Sequence, residues 1–256
     1  MFDPPDYGII DREGLVQQMF YTRRDWRPPP RGASDYDVTV DDEVQVACRL
    51  YPSGLTAPSI LYFHGNGEVV SDYDNVAPLY ITAGINLMVA DYRGYGASGG
   101  HPSFAGMLAD AHAVAAAFHG ILDEGGFGPR RFIMGRSLGA HPALELAAHE
   151  PDRFSGLITE SGAALITRMV NTLASLGLTE AAEELDRRHT AKLQAITMPA
   201  LVLHGTQDNI ERAYALFETL TMPDKRLVPI QGAGHNDIMW VGLAEYFAAI
   251  RKFVGA

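Results

Sequence analysis

Cysteine is almost missing from this chain. Cys48 is the only one, so no intrachain disulfide and no cysteine-based metal cluster can form, and Cys48 is expected as a small buried apolar residue. Cationic residues are also scarce, with 20 Lys and Arg against 31 Asp and Glu, for a formal net charge of −11. Displacing counterions from a phosphate backbone needs a basic surface, so nucleic acid is not an expected partner. No apolar run reaches the length needed to span a bilayer. The first residues, Met1-Phe2-Asp3-Pro4-Pro5-Asp6, are acidic and broken by proline, without the basic and apolar regions of a secretory signal, and a cytoplasmic location is the expectation. Tryptophan is confined to Trp26 and Trp240, which form no paired aromatic cage and are expected to be packing anchors. Internal repeats and low-complexity tracts are missing too.

What is there suits one soluble domain over 1–256, since 47% hydrophobic residues in a chain of this length can bury a sizeable core. Residues 1–34 read as a leading segment. Leu15, Val16, Met19 and Phe20 fall at helical spacing, followed by Pro28-Pro29-Pro30. Arg12, Arg23, Arg24, Arg27 and Trp26 flank that apolar face, yet packing against the core is expected and no stable membrane association is predicted. Strand periodicity follows at Tyr36 to Val40 and Val44 to Leu50, an antiparallel hairpin joined across Asp41-Asp42. From Ser59 onward the chain alternates short apolar runs with helical stretches. Runs at Ile60 to Phe63, Ile85 to Ala90, Phe132 to Gly135, Leu157 to Thr159, Leu201 to His204 and Arg226 to Pro229 predict a mostly parallel sheet with helices on both faces, the α/β class. A helix over Phe104 to Leu122 should turn Met107, Leu108, Ala111, Val114, Ala115, Phe118 and Leu122 to that sheet. About 161–198 is longer than one crossover helix needs and is expected to form a small helical cap. Its apolar residues are aliphatic, and Leu165, Met169 and Leu173 are candidate substrate-pocket residues that suit an acyl chain or ordinary packing alike.

The strongest chemical signal is Gly135-Arg136-Ser137-Leu138-Gly139, between an apolar strand and an alanine-rich helix. A serine there sits on a sharp strand-to-helix turn, its hydroxyl lifted above the sheet and the helix N-terminus directed at the reacting centre. Such a hydroxyl needs a base and an orienter for that base. His235, in Gly234-His235-Asn236-Asp237, and Asp208, in Leu203-His204-Gly205-Thr206-Gln207-Asp208, supply both at successive strand ends. Glu160, which also ends a strand, competes with Asp208 for the acid role. His64 is expected to shape its loop rather than act as a second base. His112 and His119 share a helix face but lie two turns apart with no carboxylate to complete a site, so no metal ligand set is predicted. Gly94-Tyr95-Gly96-Ala97-Ser98-Gly99 satisfies a dinucleotide fingerprint, but Pro102 and Ser103 separate it from the next helix, and no cofactor is expected.

The motifs Tyr62-Phe63-His64-Gly65-Asn66-Gly67, Asp91-Tyr92-Arg93-Gly94-Tyr95-Gly96, the serine turn, the Asp208 loop and Gly234-His235, in the order Ser, Asp, His, resemble those of small, minimally capped α/β-hydrolases, including depalmitoylase-like and esterase-like members. The resemblance runs from about Asp35 to the C-terminus and implies the α/β-hydrolase fold. It also implies a backbone oxyanion hole at the N–H groups of Asn66 and Leu138, and hydrolysis of a small-molecule carboxylic ester or thioester through an acyl-enzyme. A serine peptidase or amidase on the same fold and a non-catalytic binding protein are the alternatives. Nothing in the sequence specifies an oligomeric state.

Overall fold

The computed structural model describes residues 2–12, 19–162 and 166–256. Leu15, Val16 and Leu165 lie outside them. Among the described residues, eight strands form one sheet in the order β1-β2-β4-β3-β5-β6-β7-β8. β1 (Ser34–Asp41) and β2 (Val44–Tyr51) make the antiparallel hairpin, and Asp41 stays in β1, so the turn falls on Asp42 and Glu43 instead of on Asp41-Asp42. β2 also runs antiparallel to β4 (Asn86–Ala90). The remaining strands, β3 (Ser59–Phe63), β5 (Arg131–Arg136), β6 (Gly156–Glu160), β7 (Ala200–Gly205) and β8 (Lys225–Ile230), are parallel to β4 and to one another.

The inner strands are apolar throughout because both sheet faces are covered. Leu61 and Phe63 enter one core and Ile60 and Tyr62 the other, as the two-residue period of a strand requires. The first core is closed by α3 (Phe104–Glu124), α4 (Ala140–His149), α6 (Thr179–Gln194) and α7 (Ile210–Thr219). The second is closed by α2 (Ala77–Thr82), α8 (Ile238–Val241) and α9 (Leu243–Val254). The predicted stripe of α3 is buried from Met107 to Leu122. By length and composition α3 is apolar enough to cross a membrane, which the sequence expectation did not anticipate; half of it is buried inside the protein.

The described part of the leading segment packs on the first core through Tyr7, Ile10 and Phe20, with α1 at Gly8–Arg12. Asp11 accepts hydrogen bonds from the Phe104 and Ala105 N–H groups at 2.7 and 2.9 Å, and Ser103 Oγ accepts from Gly106 N–H at 3.0 Å. These caps occupy the start of α3, so the glycine-rich 94–99 stretch feeds a helix whose first donors are already used. Gly99 packs on β2 instead, its N–H bound to the Gln45 carbonyl at 2.9 Å.

The 161–198 interval holds α5 (Thr167–Ser175) and α6. α6 packs against α4 and α7 as a crossover helix, and α5 packs on α6 as the added element. The tryptophans do not anchor packing: Trp26, whose Nε1–H donates to Asp35 at 3.2 Å, is 52% exposed, and Trp240, on the short helix α8, is 59% exposed.

Phe118 is fully buried in the first core among α3, Phe154 and His119. Phe118→Ala is expected to lower unfolding free energy by about 3–5 kcal/mol in urea titrations, with an unchanged m-value.

Candidate active site

The parallel register brings the strand ends to one edge. Phe63 pairs with Gly135, Arg136 with Glu160, Glu160 with Leu203, and Gly205 with Ile230. The loops that follow β3, β5, β6, β7 and β8 therefore open on the same side, where α/β sheets collect functional groups.

Ser137 is the residue after β5, and its φ of 50° is one of only two positive values for non-glycine residues among the described residues. A non-glycine side chain in this region is strained, and strain of this kind gathers at functional sites. Two glycines make the turn possible. A Cβ on Gly135 would lie 2.1 Å from the Gly139 carbonyl oxygen, and one on Gly139 would lie 2.0 Å from the Phe63 carbonyl oxygen. No other residue fits either place.

Ser137 Oγ stands 2.9 Å from His235 Nε2, and His235 Nδ1 stands 2.8 Å from Asp208 Oδ2. With Nδ1–H donating to the carboxylate, Nε2 is left to accept the serine hydroxyl. Burial works against the charge on Asp208, but hydrogen bonds from His235 and the Asn209 N–H outweigh it and hold the carboxyl below the usual aspartate range. Glu160 goes elsewhere: it is buried, accepts hydrogen bonds from Tyr246 at 2.6 Å and Tyr62 at 3.3 Å, and lies 3.5 Å from Arg136 Nε. Burial raises its pKa, in opposition to Arg136. Of the two candidate acids, only Asp208 meets His235.

The loop after β3 is pinned from several sides. Tyr92 OH donates to the His64 carbonyl at 2.6 Å, and Gly65 N–H donates to Glu68 at 2.7 Å. His64 is wholly buried, its ring nitrogens facing the Gly65 carbonyl at 2.8 Å and Asp91 at 3.1 Å, as a loop-shaping residue requires. The Asn66 side chain accepts from the Tyr21 N–H at 2.9 Å and from Tyr95 OH at 2.7 Å, and donates to the Met19 carbonyl at 2.6 Å. Asn66 and Leu138 both line the cavity at Ser137, and among the described residues neither backbone N–H donates to a turn or loop carbonyl.

That cavity measures about 240 Å³ and is polar, lined by Ser161, His141, His204 and Arg212 besides the residues above. Leu173 does not reach it. It is fully buried where α5 packs on the first core, because an amphipathic helix turns its largest aliphatic groups inward. Met169 lines a separate groove of about 770 Å³ that shares Arg212 with the cavity. The aliphatic content of 161–198 is thus core packing at Leu173 and groove wall at Met169.

Three residues escaped the sequence reading. Arg136, inside the serine motif, donates to Glu68 at 2.5 Å, to Asn236 at 2.8 Å and to the His235 carbonyl at 3.4 Å, so one buried cation ties the serine strand, the β3 loop and the histidine loop together. His204 Nε2 lies 3.1 Å from Asp208 Oδ2, but the approach misses hydrogen-bond geometry, and burial keeps the ring pKa low. Ser161 has a φ of 47° and a buried hydroxyl with no partner among the described residues. Their signal was position: each occupies or adjoins a motif already recognised for another residue.

Comparison with known proteins bears on the family and the fold. Residues 56–189 match the family described as serine aminopeptidase, S33. Alpha/beta hydrolase domain-containing protein 17B of Xenopus tropicalis is 30% identical over 269 residues, covering 99% of this chain and 88% of that protein. The human protein of the same name is 30% identical over 219 residues, covering 82% of this chain and 71% of its own. The chain belongs to the α/β-hydrolase superfamily. Among solved structures, an esterase of Pyrococcus furiosus superposes with a TM-score of 0.70 at 17% identity, covering 92% of this chain and 98% of its own. Est1E from Butyrivibrio proteoclasticus does so at 0.66 and 20%, covering 88% and 100%; these two likenesses speak for the fold.

His141, in the cavity wall, is held neutral: burial, then the nearby His189 and Lys192, push its pKa down from 6.5 to about 3. The unfolded chain takes up a proton below 6.5 that the folded chain refuses, so the stability of the neutral form is present above that pH and lost as pH falls toward 3. Urea titrations should show His141→Gln with a shallower decline between pH 6 and 4, by about 1.4 kcal/mol per pH unit.

Proposed function

We propose that the protein is a serine hydrolase that cleaves a carboxylic ester or thioester through an acyl-enzyme. The observation that carries this reading is the continuous Ser137–His235–Asp208 contact chain, at 2.9 and 2.8 Å, on a strained strand-to-helix turn. His235 Nε2 takes the Ser137 proton as Oγ attacks the acyl carbon, and the carbonyl oxygen becomes an oxyanion. The Asn66 and Leu138 N–H groups meet it, and the loss of one such donor costs about 10²- to 10³-fold in rate. His235 then gives its proton to the departing alkoxide or thiolate. Water attacks the acyl-enzyme with His235 again as base, releasing the acid and restoring Ser137. Asp208 stays ionised, fixing the ring and stabilising the imidazolium.

The family description favours a second reading, an aminopeptidase. Such an enzyme needs an anion for the substrate's free amine. Among the described residues lining the cavity the one carboxylate is Asp208, already engaged by His235, while Arg212 adds positive charge. An ester or thioester makes no such demand, and the small polar cavity suits a short or polar group near the acyl carbon, with the Met169 groove next to it for the remainder of the substrate.

Ser137→Ala should lower turnover of activated acyl esters by about 10⁶-fold with an unchanged circular dichroism spectrum; full activity would overturn the assignment. Asp208→Asn should lose about 10⁴-fold in kcat, while Glu160→Gln keeps at least about 10²-fold more activity than Asp208→Asn. Equal losses in the two variants would remove Asp208 from its role. A panel of acyl esters, thioesters and aminoacyl amides ranked by kcat/KM decides between the two readings, the amides ranking last if esters are the substrate.

A further inference from the structure

Outside the triad, α3 and α4 bring three metal-ligating side chains to one point. Glu145 and His149 are four residues apart on α4, which stacks them on one helix face. His112 meets them from α3. Glu145 Oε1 lies 3.1 Å from His149 Nδ1 and 3.7 Å from His112 Nε2, and one donor atom from each residue falls within 4.8 Å of the others. Two donors at the usual bond lengths on a tetrahedral ion stand about 3.4 Å apart, so the two contact distances bracket the required spacing.

The surrounding groups orient these donors. His112 Nδ1 donates to Glu150 Oε1 at 2.6 Å, so an ion that displaces the proton on Nε2 meets a lone pair aimed toward Glu145, in the carboxylate–histidine arrangement that supports metal ligands. Arg153 holds the other Glu150 oxygen at 2.9 Å. Buried Lys192 holds Glu145 Oε2 at 2.7 Å, so the carboxylate cannot swing and Oε1 is the oxygen left for an ion. Ligation through His149 Nδ1 would replace its 3.0 Å contact with the Glu145 carbonyl oxygen. The His112 and His149 side chains are 37% and 32% exposed, which gives an ion access from solvent and a place for a water ligand.

We propose that His112, Glu145 and His149 form a divalent transition-metal site, with Zn²⁺ the ion best matched by two imidazoles, one carboxylate and water. None of the three lines the cavity at Ser137, so the ion's effect is to cross-link α3 to α4 rather than to take part in hydrolysis. Sequence spacing concealed the site by pairing His112 with His119, which instead accepts from Arg131 at 2.9 Å, whereas the true companions stand on the next helix.

The test uses the full chain, stripped with a chelator and titrated with Zn²⁺ by calorimetry and with Co²⁺ by visible absorption. The expected result is about one equivalent of Zn²⁺ bound, intense visible bands of four- or five-coordinate Co²⁺, and a Tm rise of roughly 5 °C at a hundredfold excess over Kd. His112→Ala and His149→Ala should each abolish the isotherm and the bands, and Glu150→Gln should weaken binding about tenfold. His149→Gln serves if an alanine variant fails to fold, judged by circular dichroism in chelator. The proposal is overturned if the wild-type chain binds no stoichiometric ion, if the ligand variants bind as well as wild type, or if His235→Ala is the variant that removes the ion.

Discussion

Gly139 touches the Phe63 carbonyl with no side chain between them, since an added Cβ would lie 2.0 Å from that oxygen. This contact sets the distance between the end of β3 and the turn that begins α4, and most of the site follows from it. It brings the loop carrying Asn66 beside Leu138, so that residues from two separate elements line one cavity. It also holds the turn tight enough for Ser137 to sit at positive φ. Packing of backbone on backbone has no rotamers to lose, which makes it a durable way to store strain at a reacting group.

A second constraint is electrostatic. Arg136 is buried between Glu160 and Glu68, and its remaining hydrogen bonds go to the loop that carries His235. A buried guanidinium must satisfy its fixed fork of donors or cost several kcal/mol, so the loops that supply acceptors are held in register with the strand that bears the arginine. Glu160 therefore belongs to the frame. Its position at a strand end made it a rival to Asp208, but Tyr62, Tyr246 and Arg136 take up its oxygens.

Most of the fold was legible because both periodicities are strong here. Strands buried on both faces read as short apolar runs, and α3 carries its stripe over its full length. The contact chain at Ser137 was legible because each member stands at a strand end flanked by glycines or turn residues. What the sequence hid was contact between distant elements with ordinary spacing. Leu173 looks the same in sequence whether it lines a pocket or fills a core, and only the docking of α5 decides. Trp26 and Trp240 have the size of anchors but are more than half exposed. Glu145 and His149 drew no attention because their third companion belongs to another helix.

The Asn66 side chain grips the leading segment by the Met19 carbonyl and the Tyr21 N–H, atoms that every residue other than proline carries. The grip reads main chain and ignores side-chain identity. Substitutions at Tyr21, 70% exposed, can therefore accumulate with little consequence, whereas a one-residue insertion or deletion shifts the donor and acceptor out of phase and releases the loop. For this stretch, length is under tighter constraint than spelling.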